Sequence, residues 1–363
     1  MSVVATERLV SADSHVYFTG DWVKERLRKP MHKVWDQAVK KAEVYAAKTL
    51  RGGQPQLHLE DFVDPSASQD PGYKDPAGKL KAMDRDGVAA EVIFPEVGGA
   101  KLCNPHLMGS DWKEVFKGFN QGMADFASYS PDRLLCAYQL PLYDIGFAVK
   151  EVKRLARDHK ARCVQITPFP SDLGLPDYQD KRYVPLWKTI EETGLAIMNH
   201  LDVRAAAWDL FRRDPTPQKG IFTSQPAMML AETMGFWILT GILERFPGLK
   251  IVFVEPGLMW VPYYLDKIDR FMSEGAYQFP AIKELPSFYF HRQMALTFMD
   301  DARGLRQRYD IGVENIMWST DYPHPATTWP HSRESIARQF QGVPDDERRL
   351  MTCGNAARFY GLN

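Results

Sequence analysis

Eight short apolar runs recur along the chain, and a longer stretch with helical spacing of its apolar residues separates each from the next. Buried parallel strands read as near-continuous apolar runs, and IVFV at 251–254 and CVQI at 163–166 fit that description. Repeated strand and helix units indicate an α/β protein with a parallel sheet. The predicted strands cover residues 9–13, 91–94, 134–139, 162–167, 195–200, 250–255, 294–298 and 316–320.

Eight such units predict a (β/α)8 TIM barrel, whose usual size of about 250 residues is smaller than this chain. We assign all 363 residues to a single domain with two insertions, about 19–77 after strand one and 203–225 after strand five. Loops that follow barrel strands lie on the catalytic face, so both insertions would overhang the site. A doubly wound open sheet is the alternative. It is disfavoured because SADSHVYF, after the first strand, has no glycine-rich phosphate loop.

The predicted helices separate these strands and end in recognisable stop signals such as Thr193-Gly194 and Pro247-Gly248. One further helix is predicted within the first insertion, at 34–50, and a short one near the C-terminus, in GNAARFYGL, is expected to close the barrel. The helices between the strands are predicted at 112–129, 145–159, 184–193, 226–246, 259–272 and 300–309.

Charge and hydropathy exclude some classes of partner. The 45 Lys and Arg residues nearly balance the 46 Asp and Glu residues, which argues against nucleic acid binding. No apolar run approaches the roughly 20 residues that span a bilayer, so we expect no membrane association and a cytoplasmic location. Residues 24–51 carry nine basic and three acidic side chains, a local charge of +6. A solvated helix face is the preferred interpretation, and a site for a phosphate-rich handle such as coenzyme A is the alternative.

Ionisable side chains stand at the ends of several predicted strands. In a barrel these ends meet on one face, and residues two apart on a strand point the same way, so Asp13 and His15 would both turn inward. Each residue alone also fits a cap, a turn or the core. Together they favour a metal site, because buried ionisable groups are costly unless paired or bound to metal. The six are Asp13, His15, His200, Glu255, Asp321 and His324.

Three segments, ADSHV, MNH and WSTDYPHP, resemble the amidohydrolase-related metalloenzymes, which include aminocarboxymuconate-semialdehyde and resorcylate decarboxylases. The resemblance covers nearly the whole chain and implies a TIM barrel holding one divalent ion. By motif match, Asp13, His15, His200 and Asp321 would be its ligands. Two positions depart from the pattern: Asp13 replaces a histidine, and Glu255 stands where the decarboxylases often have a catalytic histidine.

The D-S-H, V-E-P and D-Y-P-H set also resembles a branch of these barrels that contains a nonheme diiron monooxygenase of diterpenoid antibiotic (platensimycin and platencin) biosynthesis. That resemblance implies two iron ions held by all six residues, with Glu255 and Asp321 also catalytic. Three carboxylates and three histidines suit two irons. The expected reaction is hydroxylation of a C–H bond in a hydrophobic acyl or terpenoid-type substrate, with coenzyme A-linked substrates included. It would require an external electron donor.

Two other functions stay open from the sequence. The first is an amidohydrolase or decarboxylase with one Zn or Mn ion, in which Glu255 serves as a general base. The second is a barrel that has lost activity and serves as a binding protein. Metal content and oxygen consumption would separate the three. Homo-oligomers are also expected, because many barrels of this size self-associate.

Trp260 and Trp329 follow strand ends and are predicted to line an apolar substrate pocket. Aromatic residues at helical spacing are more often part of the core, which is the alternative interpretation for both. Ser14, between two inward-facing residues, should point outward and is not a nucleophile. Four further histidines are assigned surface or structural roles: His58, His106, His291 and His331.

Overall fold

The structure is a computed structural model that describes residues 6–17, 20–49, 70–95, 105, 109–275 and 278–362. Eight strands form one sheet in the order β1 to β8, and each strand is parallel to the next. This arrangement is the predicted α/β (β/α)8 TIM barrel. The strands are β1 Val10–Val16, β2 Ala90–Pro95, β3 Leu134–Gln139, β4 Cys163–Gln165, β5 Ala196–His200, β6 Lys250–Val254, β7 Met294–Phe298 and β8 Ile316–Trp318.

Helices lie between the strands and over the barrel mouth. Within the described ranges, none is both long and apolar enough to cross a membrane. They are α1 Gly20–Lys24, α2 Met31–Thr49, α3 Pro76–Asp86, α4 Trp112–Ser128, α5 Ile145–Asp158, α6 Val184–Thr193, α7 Trp208–Arg213, α8 Gly220–Thr223, α9 Pro226–Leu239, α10 Ile242–Arg245, α11 Val261–Gly275, α12 Pro286–Gln293, α13 Arg308–Ile311, α14 Ser332–Gln339, α15 Asp345–Arg349 and α16 Asn355–Tyr360.

Two predicted helices differ from those observed. The helix expected at 226–246 is interrupted at Gly241, whose φ of 76° lies in the left-handed region and ends the first segment. The helix expected at 300–309 is a 3-10 turn at Gly304–Gln307 followed by the short α13. Of the first insertion, the described part contains α1 and α2, and residues 50–69 lie outside the described residues. The second insertion contains α7 and α8.

Apolar side chains fill the interior of the barrel. Alternate residues of the strands, including Ala12, Val92, Ala137 and Met198, form this inner cluster, and Phe359 of α16 joins it. The helix in GNAARFYGL therefore packs against the barrel core. Because active sites of TIM barrels lie at the C-terminal ends of the strands, that end is where a site must be sought.

The barrel closes through individual hydrogen bonds between β1 and the segment that follows β8. The backbone N–H of Thr320 donates to Ser11 Oγ at 2.8 Å, and the two hydroxyls lie 3.1 Å apart. One step further along, the N–H of Asp321 donates to the carbonyl of Asp13 at 3.1 Å. Closure of the barrel thus brings two acidic residues together that are far apart in sequence.

Candidate metal centre

A bulge in β1 brings Asp13 and His15 to the same place. Ser11 and Ser14 are three positions apart on β1, but their partners on β2 are only two positions apart. β1 therefore contains one extra residue between them. Ala12 faces the barrel interior, and His15 reaches the site three residues later. The sequence argument assumed plain alternation, whereas the bulge lets both side chains reach one site.

Glu255 and Asp321 adopt a backbone conformation that is unusual for residues other than glycine. Their φ angles are 66° and 55°, in the left-handed region, which costs roughly 1 kcal/mol or more per residue. Val252 and Val254 face the barrel interior, so regular alternation would turn Glu255 outward. The left-handed conformation of Glu255 turns its side chain towards the cluster instead. The N–H of Glu255 donates to Thr297 Oγ1 at 2.7 Å. Such outliers cluster at functional sites.

Carboxylate and imidazole groups approach one another closely in this region. His15 Nε2 lies 3.1 Å from Asp321 Oδ1 and 3.5 Å from Asp13 Oδ1. His200 Nε2 lies 3.5 Å from the same Asp13 oxygen and 4.0 Å from Glu255 Oε2. Both aspartates are fully buried. Residues from β1, β5, β6 and β8 therefore converge on one small volume.

His324 completes the cluster from the segment after β8. Its Nδ1 lies 3.1 Å from Asp321, and its ring stacks on His15 with the centroids 4.0 Å apart. Ligand atoms of these side chains fall within 4.8 Å of one another in three overlapping groups. The groups are Asp13, His15 and His200; His15, Asp321 and His324; and Asp13, Glu255 and Asp321.

The donor set fits a divalent metal ion. Both carboxylate oxygens of Asp13, Oδ1 of Asp321 and Nε2 of His200 are buried without a hydrogen-bond partner of good geometry among the described residues. His200 Nδ1 lies 3.0 Å from the carbonyl of Leu201, which favours the tautomer whose Nε2 lone pair is available to a metal. Since buried charges require a partner, these atoms are suitable ligands.

The cluster shifts the protonation of its own members. Burial favours neutral His200, but the Asp13 carboxylate outweighs it and raises the pKa of His200 to about 9. Burial, together with the charge of Asp321, raises the pKa of Glu255 to about 8. Burial opposes ionisation of Asp321 too, yet His324 and His15 lower its pKa. A cation bound here would favour the charged carboxylates.

The two tryptophans predicted to line a pocket make hydrogen bonds near strand ends. Trp260 is half-buried, and its indole N–H donates to the carbonyl of Pro256 at 2.9 Å. Trp329 is also half-buried; its indole donates to the carbonyl of Ala82 at 3.1 Å, and the Arg85 guanidinium lies 5.0 Å above its ring. These contacts tie Trp329 to α3. A pocket role for either residue stays a prediction.

The sequence analysis missed two residues beside the cluster. The Phe94 ring lies 4.8 Å from the His200 ring and 6.1 Å from that of His15, so it forms an apolar wall. Asn199 accepts a hydrogen bond from the indole of Trp237 at 2.8 Å, which holds the end of β5 against α9. An aromatic residue at the end of a predicted strand was the available signal for Phe94. The sequence contained no comparable signal for Asn199.

Neither His291 nor His331 belongs to the cluster, and the Ser14 side chain points away from it. His291 is on α12, and His331 directly precedes α14. Ser14 Oγ donates to the carbonyl of Val92 on the neighbouring strand at 3.2 Å. His58 and His106 lie outside the described residues.

Several cations of the basic segment 24–51 have acidic partners. Lys24 pairs with Asp36 at 2.8 Å, Arg26 pairs with Asp125 at 2.8 Å, and Arg28 pairs with Glu114. These pairs fit the solvated-face interpretation. A site for an anionic handle stays a prediction.

A family model described as amidohydrolase matches residues 13–362. The chain belongs to the amidohydrolase family. The chain is 25% identical to a gamma-resorcylate decarboxylase of Rhizobium sp. over 266 residues, 68% of this chain and 76% of the relative. The solved 5-carboxyvanillate decarboxylase of Sphingomonas paucimobilis superposes with a TM-score of 0.72 at 22% identity, covering 99% of this chain and 100% of that one. A dihydroxybenzoic acid decarboxylase of Polaromonas sp., with bound manganese and 2-nitroresorcinol, has a TM-score of 0.65 at 17% identity over 99% and 98% of the chains.

These relatives overturn the expectation of a nonheme diiron monooxygenase. The chain matches decarboxylases, one solved with manganese, so the prediction of an iron-dependent oxidoreductase of antibiotic biosynthesis is wrong. Two iron ions and an external electron donor likewise find no support. The error has a physical reason: residue types at strand ends do not distinguish metal ligands from groups that move protons, so counting all six as ligands implied two ions.

Proposed function

We propose that this protein is a decarboxylase of a small aromatic carboxylic acid that depends on one divalent ion, Mn²⁺. The observation that carries the proposal is the convergence of Asp13, His15, His200 and Asp321 on one volume, in which buried atoms of Asp13, His200 and Asp321 have no hydrogen-bond partner of good geometry among the described residues. The likeness to gamma-resorcylate decarboxylase supports the reaction, and the manganese in the Polaromonas enzyme supports the metal.

These four residues would hold the ion. Two come from β1, one from the end of β5 and one from the segment after β8. When bound, the ion compensates the buried carboxylates and polarises an oxygen of the substrate. Oxygen and imidazole ligands suit Mn²⁺ and also Zn²⁺, which is the second choice of metal. Both φ outliers flank the site, and the left-handed backbone at Asp321 holds that carboxylate among the others at a fixed cost in strain.

Glu255 would supply the proton that the reaction needs. Loss of CO₂ from an aromatic acid replaces the ring carbon's bond to the carboxylate with a bond to hydrogen, so one proton enters and CO₂ leaves. No electrons are exchanged, and no reductant is required. Burial and the charge of Asp321 raise the pKa of Glu255 to about 8 in the metal-free chain, and a bound cation would lower it from there. An acid whose pKa lies near the working pH is an effective proton donor.

Phe94 and His324 would orient the substrate. The Phe94 ring beside His200 and His15 offers an apolar face to an aromatic ring. His324 is partly exposed and stacks on His15, which places an imidazole at the outer side of the cluster. An anionic or phenolic group on the substrate would be a suitable partner for it.

Metal analysis combined with a CO₂-release assay tests the proposal. The Mn²⁺-loaded protein is incubated with a panel of hydroxy- and methoxy-substituted benzoates, and the arene product and CO₂ are measured. We expect about one ion per chain and turnover of at least one panel member. His200→Asn should abolish both metal uptake and turnover. His291→Asn, which changes the same residue type on α12, should leave both intact.

Three results would overturn the proposal. The first is CO₂ release that does not depend on the metal. The second is a stoichiometry of two ions per chain. The third is hydrolysis of amide or ester substrates without decarboxylation of any acid, which would instead assign Glu255 as the general base of a hydrolase.

A further inference from the structure

Lys79 of α3 is a lysine without any exposed surface. Its Nζ lies 2.9 Å from Glu91 Oε2 on β2, and the two side chains are 0% and 2% exposed. Lysine is almost never fully buried unless it is paired. Desolvation of two charges can exceed their attraction, so a buried pair on its own is weak evidence of a stabilising role. The lysine therefore calls for an explanation beyond the ion pair.

The same ammonium contacts two of the segments that carry metal-ligand candidates. Lys79 Nζ donates to the backbone carbonyl of His15 at 3.3 Å and lies 4.4 Å from the centre of the Tyr322 ring. Tyr322 directly follows Asp321, and its carbonyl accepts a hydrogen bond from the N–H of His15 at 2.7 Å. Lys79 thus sits where the end of β1 meets the segment after β8.

The helix that carries Lys79 is itself fixed to that segment. At its C-terminal end, Asp86 accepts a hydrogen bond from the N–H of Ser332 at 2.9 Å. One turn earlier, the carbonyl of Ala82 accepts the hydrogen bond from Trp329. The segment between Asp321 and Ser332 is therefore held against α3 at several points. The helix can act as a rigid support for the side of the cluster that is built from β1 and β8.

We propose that Lys79 is a positioning residue for the metal centre. An ammonium has three N–H donors, and here it serves a carboxylate, the carbonyl of His15 and the π face of Tyr322 at once. It thereby keeps His15 and Asp321 at ligand spacing. A purely structural ion pair would account for the contact with Glu91 but not for the other two. The inference rests on the ion of the proposed function.

The affinity for Mn²⁺ tests this role without any need for a substrate. The variant K79M/E91M removes both charges and keeps similar volume, so it avoids an unpaired buried carboxylate. We expect its Kd for Mn²⁺, measured by calorimetry and by the EPR signal of free Mn²⁺, to rise about tenfold or more, the range typical of groups that orient metal ligands. E91Q retains Lys79 and its bond to His15, so its Kd should stay within about threefold of the native value.

The pair between Glu7 and Arg348 provides a matched control. It is nearly as buried, with the side chains 7% and 8% exposed and 2.6 Å apart, and it contacts none of the six cluster residues in the described structure. E7M/R348M should leave the Kd for Mn²⁺ unchanged, whichever way it moves the Tm. An equal rise in Kd in this variant would show a general loosening of the barrel and would overturn the inference.

Two further outcomes decide between the claims. Native Mn²⁺ uptake together with an unchanged Kd in K79M/E91M refutes the role of Lys79 and leaves the proposed function standing. Failure of the native chain to bind Mn²⁺ refutes both. If K79M/E91M does not fold, K79Q/E91Q is titrated in its place, since it removes both charges, keeps two polar side chains and places a side chain one bond shorter than lysine at position 79. An unchanged Kd in that variant also overturns the inference.

Discussion

Raising the pH should destabilise the metal-free chain, and Mn²⁺ should reverse that trend. The pKa of His200 is raised from 6.5 to about 9 in the folded chain. A raised pKa in the folded state gives stability that is fully present below pH 6.5 and is lost as the pH rises through about 9. Glu255, with a pKa raised from 4.5 to about 8, changes stability in the same direction, because the unfolded chain releases that proton first.

The size of the effect follows from the shift at His200. Each unit of pKa is worth 1.36 kcal/mol, so a change from 6.5 to about 9 corresponds to about 3 kcal/mol. The side chain is only 7% exposed, so solvent screening reduces this little. For 363 residues the entropy of unfolding is about 0.8 kcal/mol per degree, and the expected fall in Tm is about 4 °C.

Thermal unfolding of the native chain and of His200→Asn measures this effect. Both proteins are stripped with a chelator and scanned from pH 6 to 9, and the fall in Tm should be larger in the native chain by about 4 °C. Bound metal needs deprotonated ligands, so the increase in Tm caused by a fixed excess of Mn²⁺ should grow with pH in the native chain. These scans are run without oxygen.

Two results would contradict a protonated His200 in the metal-free chain. One is the same dependence of Tm on pH in the native chain and in His200→Asn. The other is an Mn²⁺-induced increase in Tm that stays constant with pH. Either result would mean that, in the metal-free chain, His200 does not carry a proton that Mn²⁺ must displace.

Three further changes have distinct expected outcomes. Glu255→Gln should keep the Kd for Mn²⁺ nearly unchanged in calorimetry but lower kcat roughly a thousandfold, whereas loss of metal would make Glu255 a ligand. Asp13→Asn should weaken Mn²⁺ binding more than about a hundredfold in the same titration, and an unaltered Kd would remove it from the ligand set. Phe94→Ala leaves a cavity beside His200 and should cost about 3 kcal/mol in urea unfolding and raise KM; an unaffected KM would exclude Phe94 from substrate binding.

The order of the elements was readable from local patterns. The predicted strands at 134–139 and 294–298 match β3 and β7, and the helix predicted at 184–193 matches α6. Apolar runs, helical spacing and stop signals lie within a few residues of one another, so they need no tertiary information. The prediction failed at 300–309, where the chain forms a short turn and a single-turn helix. There a helical pattern of apolar residues did not show how short the element is.

The residue types of the candidate site were also visible in the sequence, but the chemical role of each residue was not. Carboxylates and histidines at the ends of strands follow from the barrel, and the structure brings all six together. The proposed division into ligands and a proton donor depends on distances and protonation, and counting all six as ligands led to the wrong reaction class. The decarboxylase relatives supplied that correction.

The barrel, the end of it that carries the cluster and the kinds of side chain found there thus follow from local sequence patterns. The bulge that turns Asp13 inward, the left-handed backbone at Glu255 and the burial of Lys79 against His15 arise only when the chain folds. Periodicity and capping act over a few residues, whereas the bond between Ser11 and Thr320 joins residues 309 positions apart and exists only once the barrel has closed.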